Sequence, residues 1–244
     1  LADCEAICQQ QPQHVMAHCL RGMAQAQAAQ LEEALHAFST ALQIQATHKP
    51  SLLGRARVYL QLGSSRQAEE DCNTLLALEP NLATAHELRG LARRLQGRWC
   101  EAAEDFTQAL QIDPSATLFN RRAEMHYYAG DYAAALRDHV EALKLNPRDP
   151  ATFNSLAWIW STCPDPEFRN GQRAKDCATR ACELTEWAEP GFLDTLAAAC
   201  AECGEYEQAV QWANRAIELL QQKQPANPEV WHDYTQRREL YRQH

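Results

Sequence analysis

Glycine and proline are scarce in this chain: 9 and 11 residues among 244 leave little material for the many tight turns of an all-β protein. Runs rich in Val, Ile and Thr are missing, while Ala, Leu, Gln, Glu and Arg, which lose little side-chain entropy in a helix, dominate. No apolar stretch reaches the roughly 20 residues that a membrane-spanning helix needs, so no membrane partner is expected. Positive charge is also in deficit. A formal net charge of -9 argues against nucleic acid or an anionic membrane surface as the main partner. The G-x-x-x-x-G-K-[ST], G-x-S-x-G, H-E-x-x-H and dinucleotide-type Gly patterns are all absent, so no catalytic residue and no cofactor is expected, and the chain is read as a non-enzyme.

What is present is apolar enough, at 45%, to fold around a core. Ten cysteines are about 4% of the chain, well below the density of a small disulfide scaffold. Reduced thiols are the simpler reading, because most fall where helical periodicity wants a small buried residue. Residue 1 is Leu, with no charged segment and apolar run before the first helix; any targeting signal would have been removed or lies beyond this sequence. The compartment is close to unreadable, with the cytoplasm as the default.

Self-comparison is the informative step. One column of small residues reads Gly22, Ala56, Gly90, Ala123, Ala157, Ala197, a second Ala34, Ala68, Ala102, Ala135, Ala174, Ala209, and a third Ala41, Leu75, Ala109, Ala142, Ala181, Ala216. The period is 34 residues, the steps of the first column being 34, 34, 33, 34 and 40. Gly63, Gly97, Gly130 and Gly204 mark a turn inside each unit, and Pro12, Pro80, Pro114 and Pro147 close units, with Ala46 and Glu186 replacing the proline at two junctions. Each unit is therefore a pair of helices whose small columns permit close approach, and stacking buries the face that neither helix could bury alone. At least twelve helices and no sheet are expected.

The stretch Leu82 to Pro114, with Gly90, Gly97, Ala102, Phe106 and Ala109, and the stretch GDYAAALRDHVEALKLNP ending at Pro147, resemble the tetratricopeptide repeat family. Residues 156–219 resemble a narrower bacterial variety through LAWIWSTCPDPEFRNGQRA, ACELTEW and LDTLAAACAECGEYEQAVQWANRAIEL. The resemblance implies an all-α fold, a right-handed α-solenoid of about six helix pairs with a concave groove, plus a partial N-terminal helix and a C-terminal capping helix. The aromatic usual near the end of the first helix is kept as Tyr59 but is Gln25, Arg93 and His126 elsewhere. The array is placed at residues 1–221: a partial unit at 1–12, then 13–46, 47–80, 81–114, 115–147, 148–186 with a lengthened turn, and 187–221. Pro164, Pro166 and Gly171 mark that turn as a projecting loop. Residues 222–244 form a linker and a capping helix, started by Asn227 and Pro228, with Val230, Trp231, Tyr234 and Tyr241 near one face.

Metal and redox chemistry are weighed and set aside. Cys200 and Cys203 form a C-x-x-C near the end of a helix with no strand beside it, which favours core filling over a redox pair. Cys4, Cys8, His14 and His18 have i, i+4 spacings, but not those of a known finger, so no metal is expected. Cys177 and Cys182 do not share a helix face and read as core. The carboxylates Glu69, Glu70, Asp71, Glu101, Glu104 and Asp105 are read as lying mostly on a solvated second-helix surface.

The groove gives the sharper expectation. Residues two before and one after the first small column are read as pointing away from the core: Leu20 and Met23, Gly54 and Arg57, Leu88 and Leu91, Arg121 and Glu124, Ser155 and Trp158, Thr195 and Ala198, with Leu95 and Tyr128 one turn on. The expected peptide-binding residues are Arg57, Leu88, Leu91, Arg121, Tyr128 and Trp158, suited to an extended peptide with apolar anchors and an acidic residue. The alternative is that the coil of the array buries this face against itself. The Lys, Asn and Arg set with which some tetratricopeptide domains grip a chaperone's C-terminal carboxylate is not reproduced: Arg121 matches one member, but Glu87, Leu91 and Ala151 stand at partner positions. The expected function is thus a scaffold for a protein or peptide ligand; the alternative is a regulatory or oligomerising arm of a larger multidomain enzyme, and a homo-oligomer stays open.

Overall fold

The computed structural model describes residue 7 and residues 9–222 and 228–244, and thirteen α-helices and one short 3-10 turn are delimited among the described residues. Among the described residues there is no strand. The helices are α1 (Val15–Gln27), α2 (Leu31–Ile44), α3 (Lys49–Gln61), α4 (Ser65–Leu78), α5 (Ala83–Leu95), α6 (Trp99–Ile112), α7 (Ala116–Tyr128), α8 (Tyr132–Leu145), α9 (Pro150–Thr162), α10 (Gly171–Leu184), α11 (Pro190–Glu202), α12 (Tyr206–Gln222) and α13 (Pro228–Arg242). The all-helical architecture of the α-solenoids is what the periodicity implied.

Local chemistry sets the helix ends. The side chains of Ser115, Asp131, Asp149 and Asn170 accept the N–H three residues on, satisfying donors that the helix itself leaves unpaired. Pro50, Pro150 and Pro190 stand in first turns, where the missing N–H costs nothing. Gly63 and Gly97 end α3 and α5 with φ of 72° each, a left-handed backbone that only glycine adopts freely. The junction after α10 lacks a proline and is closed by hydrogen bonding instead. Glu186 and Trp187 are both left-handed, at 52° and 60°, and the Trp187 N–H donates to the Cys182 carbonyl at 2.8 Å.

The chain divides into two units, Leu1–Ala129 and Gly130–His244. In the first, each helix packs on the next from α1 to α7, and α3 also touches both α1 and α5. Their core follows a rule of compensating size. Phe38 is buried on α2, and a Cβ added to Gly22 or Gly54 would stand 2.9 or 2.5 Å from its ring. One period later the sizes are exchanged: Cys72 is small and packs with Ala56 and the large Leu88. Phe106 restores the first arrangement over Gly90, whose Cβ would lie 2.9 Å from the ring. Close packing explains the exchange, since adding or removing volume on one side alone leaves an overlap or a void.

In the second unit α9 packs on α10 and α11, α11 on α12, and α12 on α13. The lengthened turn after α9 does not project. Asn170 N–H donates to the Trp160 carbonyl at 2.8 Å, Phe168 lies 5.8 Å from the Tyr132 ring, and Cys163 is buried, so the segment folds back on its own unit. On α13, Val230, Tyr234 and Tyr241 pack against the core, whereas Trp231 is 40% exposed and takes no part in it. Asn227 lies outside the described residues.

Candidate binding faces

The first helices do present a free face, but not the one expected for every residue. Leu88 is only 7% exposed and is a core residue beside Cys72. The reason is the size exchange above: the position two before the small column faces the preceding second helix, where Cys72 leaves room that Leu88 must fill. Leu91 is half-buried against the same cluster and its neighbour. The exposed stripe runs instead through the position one after the small column and the position a turn later. Met23, Gln27, Arg57 and Gln61 are exposed, Leu95 is 50% and Tyr128 53% exposed, and Tyr128 stacks on Trp99 with ring centroids 4.8 Å apart. Arg121 is not free, because its guanidinium donates to the Glu87 carboxylate.

A cavity of about 590 Å³ opens on this stripe between α1 and α3. Its walls include Met23, Leu53, Val58 and Leu82 around Gly54, and Arg57 stands at its edge. Lys49 and Glu79, also lining it, neutralise each other across 2.6 Å. Arg57 makes no hydrogen bond or ion pair among the described residues. An apolar recess beside an uncommitted guanidinium suits an apolar side chain next to a carboxylate.

The acidic second-helix residues are a correction to the sequence reading. Asp71 and Asp105 are buried, the latter to 1% exposure. Arg55 donates to Asp71 at 2.7 and 2.9 Å; Arg89 donates to Asp105 at 2.7 and 3.0 Å, and Arg93 at 2.9 Å. Arg93 and Arg98 also hold Glu69, at 2.9 and 2.7 Å. Burial pushes the Glu69 carboxyl up, but bonds from Arg93 and Gln96 and the charge of Arg98 outweigh it and hold it below the usual carboxylate value. Charge alone suggested a solvated surface; the missed signal was the Arg-to-Asp interval of 16 residues, repeated in two successive periods as Arg55–Asp71 and Arg89–Asp105.

In the second unit Trp158 is half-buried, and its ring lies under the Arg237 guanidinium of α13 at 5.7 Å. Arg237 donates through Nη2 and Nε to the two oxygens of Asp194, at 2.6 and 3.1 Å, and also lies 5.3 Å over the Tyr234 ring. Asp194 on α11 is 3% exposed, and burial pushes its carboxyl up against the pull of Arg237. Nothing in the spacing of the sequence links Trp158 to a residue 79 positions later.

The described cysteines are free thiols, and among the described residues no group of three His, Cys, Asp or Glu side chains is placed to hold a metal. Cys4 and Cys8 lie outside the described residues. Burial pushes the Cys200 thiol up to about 11 and raises Cys203, the opposite of what a reactive thiolate needs. Cys182 is buried core and Cys177 half-buried.

Residues 53–117 match the tetratricopeptide repeat family model. Human tetratricopeptide repeat protein 13 is 32% identical over 124 residues, 49% of this chain and 14% of that protein. The chain spans less than half the length of the curated relatives it matches. A tetratricopeptide repeat protein from Parabacteroides merdae superposes with a TM-score of 0.64 at 20% identity, covering 97% of this chain and 90% of its own. YrrB, described as a tetratricopeptide protein with an unusual peptide-binding site, superposes with a TM-score of 0.62 at 16% identity, over 81% of this chain and 97% of its own. At these identities the likeness to both structures is one of fold.

Proposed function

This chain is a tetratricopeptide repeat protein, and from that premise we propose that it acts as an interaction scaffold, taking an extended peptide segment of a partner protein along the first helices of its N-terminal unit. Such repeats typically serve interaction rather than catalysis, and YrrB, a tetratricopeptide protein with an unusual peptide-binding site, is an instance. The observation that carries the reading is the cavity beside Gly54 with Arg57 uncommitted at its edge. An apolar side chain enters the recess, and a neighbouring Asp or Glu, or a terminal carboxylate, accepts from Arg57. Of the residues expected from sequence, Arg57 alone lines this cavity.

The test is selection from a randomised 12-residue peptide library on the full chain, followed by anisotropy on the enriched peptides. Enrichment of an apolar residue next to Asp or Glu is expected. Arg57→Ala then weakens binding by about 1 to 3 kcal/mol, and Leu53→Trp, which fills the recess, does the same. Selected peptides that bind both variants as well as the unsubstituted chain place the site elsewhere.

A further inference from the structure

Helix α13 is held differently from every other helix. Of its fifteen residues only Tyr234 is buried, whereas each of α1 to α12 buries at least three and α11 buries nine. Its polar attachment to the first helices is the Arg237 fork on Asp194, with the guanidinium lying over Trp158. Arg237 is also the sole hydrogen-bonding partner of the Asp194 carboxylate among the described residues. A carboxylate that is 3% exposed and has one cation is costly to leave empty, so it exerts a strong demand for a replacement.

We propose that Asp194 and the Trp158 ring form a guanidinium receptor on the first helices of the C-terminal unit, filled here by the chain's own Arg237 and open to the arginine of a partner protein's helix in its place. The geometry specifies the side chain. Two parallel bonds to the two carboxylate oxygens need the planar fork of arginine, and a planar cation stacks on the indole; an ammonium does the first poorly. The geometry also specifies a second residue. Tyr234 lies three positions before Arg237 on the same helix face, is buried in the core of this unit, and brings its hydroxyl end against Gly191 in the first turn of α11, where a Cβ would stand in ordinary contact with it at 3.4 Å. The partner is therefore a helix with an aromatic residue three before an arginine. Because α13 is tethered, it competes at a high effective concentration, so only a partner that outmatches it, or is itself held nearby, displaces it. This inference shares with the peptide reading only the choice of the first helices as the binding side, and it rests on different residues of a different unit.

The probe is a labelled peptide of residues 228–242 of this chain, added in trans to the full-length protein. The Arg237→Ala chain, whose own α13 no longer fills the receptor, is expected to bind it at least about tenfold more tightly than the unsubstituted chain. That gain disappears with Asp194→Asn in the same chain, and with a peptide carrying Arg237→Ala; Arg237→Lys in the peptide gives an intermediate affinity. Equal binding by the Arg237→Ala and unsubstituted chains, or undiminished binding of the peptide without its arginine, overturns the proposal. So does a dimer that exchanges α13 between two copies at assay concentration. Should Arg237→Ala fail to fold by circular dichroism, hydrogen exchange on the unsubstituted chain decides: α13 amides are expected to exchange at least about 100-fold faster than those of α11, and exchange at one common rate overturns the idea. Peptides selected for the Arg57 cavity, measured in parallel, keep their affinity for the Arg237→Ala chain, so either reading can fail alone.

Discussion

Asp105 in the N-terminal unit and Asp194 in the C-terminal unit are both buried carboxylates, and they are held in opposite ways. Asp105 accepts from Arg89 and Arg93, both on α5, the helix paired with its own, and Arg93 goes on to Glu69. Every partner lies within one repeat or its neighbour, and each arginine serves more than one acceptor, as Arg89 also donates to Asn73 at 2.9 Å. Asp194 has one cation, 43 residues away, on a helix with a single buried residue. Desolvation is the same in both places. What differs is redundancy: the first charge cannot lose its partners without unfolding the repeat, and the second can change partners while the repeat stays intact.

The largest effect expected from this contrast is at Asp105. Asp105→Ala removes the buried carboxylate that Arg89 and Arg93 share, leaving them Asn73 and Glu69, and should cost about 3 to 5 kcal/mol, read by urea unfolding followed by far-UV circular dichroism. A loss below about 1 kcal/mol would erase the distinction between the two units.

Acid should separate the units next. Burial, opposed by the charges of Asp138 and Asp149, lowers His139 from 6.5 to about 4. A histidine depressed in the fold contributes stability that is fully present above its unfolded value and is lost as pH falls from 6.5 toward 4, on the order of 3 kcal/mol in all. Glu69, depressed in the N-terminal unit, keeps its contribution until pH falls through the lower carboxylate range. The C-terminal unit should therefore weaken first. Five of the six tryptophans lie in it, so a tryptophan-fluorescence transition on acidification should precede the circular-dichroism transition, and His139→Leu should close the gap. Coincident transitions in the unsubstituted chain would contradict this.

The third effect is smaller because it is capped. Arg237→Ala removes the partner of a buried charge, but α13 can lift and let water reach Asp194. The loss is then limited to the docking free energy of one weakly buried helix, about 1 to 2 kcal/mol, confined to residues 228–242 in hydrogen exchange. A loss matching that of Asp105→Ala, spread over α11 and α12, would mean that the two carboxylates are wired alike after all.

How much of this was readable beforehand follows the same division. The helices and their pairing were legible because columns such as Ala34, Ala68 and Ala102 need only residue size and a period, and because glycines mark the turns. The free face was half legible. Gly54 and Leu88 hold the same position of their helices, but whether a large side chain is buried there depends on whether Phe38 or Cys72 stands 16 residues earlier, a contact between pairs that a single-helix projection cannot contain. The buried aspartates were misread since charge outweighed spacing, and the Arg-to-Asp interval was there to be noticed. Trp158 lies on a first helix, as the period places it, but under the Arg237 guanidinium. Its cover was not foreseeable, because α13 departs from the period that made everything else comparable.

The smallest expected effect serves as the control on the contrast. Glu87 is the fifth residue of α5 as Asp194 is of α11, and each is gripped by an arginine from the helix two further on, Arg121 in α7 and Arg237 in α13. The pairing scheme is the same and only solvent differs: the Glu87 and Arg121 side chains are each 31% exposed, against 4% for Asp194. Water screens the exposed pair and solvates whichever partner remains, so Arg121→Ala should cost below about 1 kcal/mol. Adding 0.5 M salt should shrink that cost further while leaving the Arg237→Ala effect nearly unchanged, since a buried pair is screened much less. If Arg121→Ala instead costs as much as Arg237→Ala and keeps its cost in salt, burial is not what distinguishes the two carboxylates, and the single partner of Asp194 loses its meaning as a receptor.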